Sequence, residues 1–155
     1  MNIGDALRET CVIADLKGQT KEEVLTELVS SLKETGLIES VEEGVRVILD
    51  REKLGSTGIG DGVAIPHGKM KDLQSVLCAF GRSAKGIDFG AVDGQPVHIF
   101  FLLLAPEAST GLHLKMLSRI SRIVRDAPFR KKLMEEVHAP QVFKDIVEED
   151  KKFSG

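Results

Sequence analysis

The chain has 155 residues, 42% of them hydrophobic and 29% charged, with a net charge of −3. That length suits one domain with a core of its own. The acidic balance and the lack of a basic cluster exclude a nucleic-acid backbone as the natural partner. With no Trp or Tyr, base stacking would fall to seven Phe, most of them in apolar runs.

The N-terminal stretch MNIGDALRET has neither the basic start nor the apolar run of a signal peptide. The longest apolar run, Val97–Ala105, is too short to cross a bilayer and reads as a buried strand. A cytoplasmic protein is expected. Cys11 and Cys78 lie far apart in hydrophobic surroundings, which suits two reduced core thiols.

Along the chain, Thr10–Ala14 is apolar and β-branched and predicts a strand. Thr20 with Glu23 forms a capping box, and Leu25, Leu28, Val29 and Leu32 follow as one helical stripe ending at Gly36. Ser40 with Glu43 repeats the pattern. Val41, Val45, Ile48 and Leu49 face inward, and Gly55 ends that helix. Arg51 falls in its last turn, off the main stripe.

Three strands are predicted next, at Val63–Ile65, Val76–Gly81 and Val97–Leu104, the last two separated by a turn region with Gly86, Gly90 and Gly94. Thr110 is a candidate N-cap for a helix with His113, Leu117, Ile120 and Val124 on one face. Pro128 and Pro140 each open a further helix. Residues 1–150 read as one domain and 151–155 as a frayed tail. Alternating strands and helices predict an α/β fold, a central sheet flanked by helices.

The stretch Arg51–Lys69, REKLGSTGIGDGVAIPHGK, carries the candidate chemistry. Its glycines give way to Val63–Ile65 and then to His67 between Pro66 and Gly68. Proline fixes its own φ and biases Ile65 to an extended conformation; Gly68 puts no side chain beside the ring. A histidine so presented can attack phosphorus and carry a phosphoryl group. That chemistry needs an acceptor for one ring nitrogen, donors for the phosphoryl oxygens and a fixed positive charge. Ser56, Thr57, Gly58 and Gly60 are candidate donors and Arg51 the candidate charge.

Other readings stand beside this one. GSTGIGDG lacks the Gly-Lys-Ser/Thr of a phosphate-binding loop, and Val63 stands where a dinucleotide motif needs its third glycine. A zinc site using His67 with His98, His113 or Cys78 lacks ligand spacing, so no metal is expected. A structural histidine in a tight turn remains open on these grounds. His98, on the strand face opposite Val97 and Ile99, reads as structural or solvent-facing. His138 reads as a cation after a helix end, and Asp61 and Glu107 as solvated loop carboxylates.

GSTGIGDGVAIPHGK, with Arg51 sixteen residues before His67, resembles the active-site stretch of the fructose/mannitol-type IIA domains of the bacterial phosphoenolpyruvate-dependent phosphotransferase system. FFLLLAPEASTGLHLKMLSRISRIVRD resembles a second stretch of that family. The resemblance runs from about Ile3 to Glu149. It implies a single three-layer α/β sandwich with a mixed sheet of about five strands.

The resemblance makes His67 the phosphorylated nucleophile, Arg51 the partner of the phosphoryl group and His113 a second active-site histidine. His113 sits near a helix start, where a charged imidazole is disfavoured, so a neutral ring is expected. The implied partner is an HPr-type phosphocarrier, with no cofactor. A IIB protein, or a regulated kinase or transporter, would lie downstream.

With no IIB segment, membrane region or linker, the chain is more similar to the nitrogen-related regulatory branch than to a fused sugar component. Two alternatives are a sugar-specific IIA protein and a docking module that is never phosphorylated.

Overall fold

The computed structural model describes residues 1–153. Its first element is a single helical turn, α1 (Ile3–Ala6), capped by Asn2. It leads directly into β1 (Leu7–Ile13), a longer strand than the β-branched run Thr10–Ala14 predicts. The helices α2 (Lys21–Glu34) and α3 (Val41–Glu52) follow. Thr20 and Glu23 close a reciprocal capping box at α2. At α3 only half of the box forms, because Arg46 Nε takes the Glu43 carboxylate at 2.9 Å.

The glycine-rich segment is not one loop. It contains β2 (Gly58–Gly60), β3 (Val63–Ala64) and β4 (His67–Met70). Asp61 and Gly62, at φ 56° and 76°, form the two-residue turn between β2 and β3. Positive φ at both positions is what a tight hairpin needs, and Asp-Gly supplies it. Asp61 is thus a turn residue, a role beyond the solvated carboxylate expected of it.

The long strands β5 (Leu77–Ile87) and β6 (Val97–Pro106) form an antiparallel pair. The sheet runs β1-β5-β6-β3-β2, with β4 also on β6, giving six strands rather than about five. It is mixed: β1 is parallel to β5, and β3 and β4 are parallel to β6. β6 is central, which explains its near-continuous apolar sequence. Phe80 and Phe101 meet edge to face at 5.1 Å across the β5–β6 pair.

Helices α4 (Thr110–Val124), α5 (Ala127–Glu135) and α6 (Ala139–Lys151) complete the chain. Helices α2 and α3 pack on each other and on the sheet; α4, α5 and α6 form a second group with α1. The N-cap of α4 is Ser109, one residue before the predicted Thr110, and its side chain makes no cap bond. Met116 and Ile123 join His113, Ile120 and Val124 on the buried face of α4, while Leu117 is half-buried.

His138 occupies the N-cap position of α6, not merely the end of α5, and its Nδ1 lies 3.1 Å from Glu136 Oε1. Of the expected tail, Lys151 closes α6 and Phe153 lies against Arg122; residues 154–155 lie outside the described residues. Cys11 and Cys78 are both buried thiols, and burial pushes both pKa values up. Among the described residues no helix is long and apolar enough to cross a membrane.

Candidate functional site

β3 and β4 lie in succession along the same edge of β6, and Ile65–Pro66 is the break between them. Proline has no N–H to give a ladder, so it suits that break. On its far side, Pro66 O accepts the Leu103 N–H at 2.8 Å. His67 is thereby the first residue of β4, opposite Leu103. Its Nδ1 bonds Ile65 O at 2.8 Å. A carbonyl only accepts, so Nδ1 carries the proton and Nε2 keeps its lone pair.

Gly68 is required by packing. A Cβ there would stand 3.0 Å from Val47 Cγ2 and 3.2 Å from the Val47 backbone. It therefore lets β4 approach α3 closely, and it also lines the cavity onto which His67 opens.

His67 opens onto a cavity of about 390 Å³ shared with His113, Arg51, Lys69, Leu54 and Val47. They come from β4, from α3 and the turn after it, and from α4. Arg51 sits in the last turn of α3, where its Nη1 donates to Gly55 O at 2.8 Å and so is aimed back over the loop. Lys69 follows His67 by two residues along β4, and its Nζ donates to Thr110 Oγ1 at 3.0 Å. His113 is in the first turn of α4, its ring 5.2 Å from that of His67 and at 72° to it. Larger clefts along residues 15–27 and 83–87 contain no histidine.

The electrostatics keep both rings neutral. Burial, with Arg51 nearby, lowers the His67 pKa against the opposing pull of the Ile65 carbonyl and Glu52. Burial, His67 and Lys69 lower His113 to about 4. His113 is only 6% exposed, and its Nε2 is buried without a hydrogen-bond partner. An orphaned buried nitrogen costs about 1–3 kcal/mol.

Three predicted residues are brought together: His67, His113 and Arg51. The other four are placed differently. The Thr57 hydroxyl donates to Glu52, and the Ser56 hydroxyl donates to Phe89 O at 3.2 Å. Each hydroxyl has one proton, so neither is free for a phosphoryl oxygen. Gly58 donates its amide to Ser56 Oγ at 3.0 Å and packs against Ala91; Gly60 is in the β2 hairpin. The loop therefore braces the histidine segment instead of forming the anion cradle that its sequence suggests.

Lys69 is the cation that sequence reasoning missed; its place directly after His-Gly was the available signal. His98 is structural, its Nδ1 bonded to Ser83 O at 2.9 Å between β6 and β5. Among the described residues no cluster of three His, Cys, Asp or Glu is arranged to hold a metal.

A nitrogen regulatory protein of Bradyrhizobium diazoefficiens is 42% identical over 144 residues, 92% of this chain and 93% of that one. A fructose-specific IIA component of Haloferax volcanii is 35% identical over 130 residues, 84% of each chain. The crystal structure of the nitrogen regulatory IIA protein of Neisseria meningitidis superposes with a TM-score of 0.87 at 35% identity, covering 93% of this chain and 98% of that one.

The family model described as the phosphoenolpyruvate-dependent sugar phosphotransferase system, EIIA 2, matches residues 5–150. The chain belongs to this IIA type 2 family of phosphotransferase components.

Proposed function

We propose that the protein is a phosphocarrier in which His67 Nε2 takes a phosphoryl group from the phosphohistidine of an HPr-type donor. The observation that carries this is the pinned Nδ1 of His67, which leaves Nε2 as the nucleophile in a cavity shared with Arg51, Lys69 and the unpartnered His113 Nε2. The Nε2 lone pair forms the new N–P bond as the donor's N–P bond breaks, and the donor ring keeps the leaving electron pair. The proton stays on Nδ1, donated to Ile65 O, and this hydrogen bond helps spread the charge that appears on the ring.

Arg51 and Lys69 offset the phosphoryl charge. The neutral His113, with its proton on Nε2, donates to a phosphoryl oxygen. Helix α4, which no side chain caps, adds open amides at its N-terminus. Exposed Leu54 lines the cavity, and exposed Leu112 and Leu114 flank His113 in the chain; all three suit a small transient contact with the donor. Such donors work in the cytoplasm, where we place this protein.

Within the family we assign it to the nitrogen-related regulatory branch, on its likeness to the Bradyrhizobium and Neisseria proteins. The Haloferax relative supports the sugar-specific reading. The test is phosphorus NMR after incubation with phosphoenolpyruvate, enzyme I and the donor. The expected signal is Nε2-phosphohistidine; an Nδ1 adduct or no adduct refutes the mechanism. Rapid discharge by a fructose- or mannitol-type IIB protein would move the assignment to sugar transport.

A further inference from the structure

Glu52 closes α3 with its carboxylate at the negative end of the helix dipole, and its side chain is only 3% exposed. Burying a charge there is unfavourable unless it is fully paired. Lys21 Nζ, from the first turn of α2, stands 2.9 Å away and also caps the Phe89 ring at 4.3 Å. The Thr57 amide donates to both carboxylate oxygens at 3.0 and 3.2 Å, and the Thr57 hydroxyl donates to one of them.

A buried pair of this kind adds little net stability over an apolar replacement. Its geometry, however, leads directly to the nucleophile. Thr57 O accepts the Ile65 N–H at 3.0 Å, and Ile65 O accepts the His67 Nδ1–H at 2.8 Å. Arg51 precedes Glu52 in the chain, so the same anchor fixes the turn from which the guanidinium reaches Gly55.

We infer that Glu52, held by Lys21, is a positioning residue that sets the tautomer and direction of His67 through Thr57 and Ile65. This rests on the phosphocarrier reading only for its consequence in transfer. Glu52 reaches neither the cavity nor a phosphoryl group. It acts by fixing Thr57, whose carbonyl fixes the extended Ile65, whose carbonyl holds the proton on Nδ1 and keeps Nε2 unprotonated. The links run through separate peptide groups and act by geometry, beside the direct pull of the Glu52 charge on the His67 ring, which Thr57→Val leaves in place. Without the anchor, Ile65 O is free to turn away, and the imidazole relaxes to the tautomer mixture of a free ring.

The test uses Glu52→Gln and, as a milder variant that keeps the carboxylate, Thr57→Val. Two readouts are taken on folded protein: the His67 tautomer by nitrogen-15 NMR, and the rate of phosphoryl acceptance from HPr. Glu52→Gln is expected to populate both tautomers and to slow acceptance at least tenfold, with Glu52→Asp recovering part of each. Thr57→Val is expected to shift both in the same direction by less.

If both variants keep the wild-type tautomer and rate, the inference is overturned. If Glu52→Gln does not fold, Thr57→Val decides alone. If the wild type itself accepts no phosphoryl group, the functional reading fails, and the tautomer measurement still decides the positioning role.

Discussion

His113 makes acid stability a direct test of the site's electrostatics. Its pKa of about 4 in the fold lies well below the ordinary 6.5 of an unfolded histidine. The folded state therefore binds fewer protons than the unfolded state between these values, and stability falls as pH drops through that window. At pH 8 the ring is neutral in both states. At pH 5 the unfolded ring is almost fully protonated and the folded ring only about one-tenth so, which amounts to about 2 kcal/mol of stability lost.

The variant His113→Gln has no titrating ring, so its loss between the two pH values should be smaller by that amount. Groups away from the ring titrate alike in both proteins and cancel; His67, which is coupled to it, is followed separately by its own ring resonances. With no Trp or Tyr to report, unfolding in urea is followed by far-ultraviolet circular dichroism. Equal losses for wild type and variant would mean that His113 titrates normally in the fold, and the argument for a neutral donor would fail.

Two further outcomes are expected. Arg51→Ala should slow phosphoryl acceptance by about 100-fold while leaving the melting temperature within a degree or two, because the half-exposed guanidinium anchors only Gly55 O. Stopped-flow transfer and a thermal melt on one sample check both halves. Gly68→Ala should cost about 1–3 kcal/mol, because the new methyl meets the Val47 backbone at 3.2 Å. Chemical denaturation measures it, and a neutral result would show that β4 and α3 separate easily.

The parts of this fold that could be read from sequence are those with strong local grammar. The capping residues Thr20 and Ser40 mark α2 and α3, the apolar run from Val97 marks the central strand, and the prolines mark α5 and α6. The pieces that escaped are short. α1 is four residues, β2 three and β4 four, too few for any periodicity, whereas β3 falls within the predicted strand Val63–Ile65. The two missed strands exist because a neighbour supplies their hydrogen bonds: β3 pairs with β2 and β6 with β4, so their identity is tertiary. The Asp61–Gly62 hairpin is different, since its dipeptide was readable and only the company of other glycines hid it.

At the site, His67, His113 and Arg51 emerged from chemistry and resemblance together. Ser56 and Thr57 were assigned to the wrong partner because a hydroxyl in a glycine loop looks available, and only Phe89 O and the buried Glu52, which accept from Ser56 and Thr57 in turn, show that it is not. Glu52 continues the buried stripe of α3, four residues after Ile48 and seven after Val45, so its spacing marks an interior position. Its acidic side chain hid this, because only Lys21 and Thr57, from elsewhere in the chain, make a buried carboxylate tolerable there.

The measurement that bears most directly on the central claim is phosphoryl transfer in a mixture of phosphoenolpyruvate, enzyme I and the HPr-type donor, read by intact mass. Wild type and His67→Ala are run side by side. One acid-labile phosphoryl group on the wild type and none on the variant is the predicted result. A folded wild type that takes up nothing, or a His67→Ala variant that takes up as much, would contradict it.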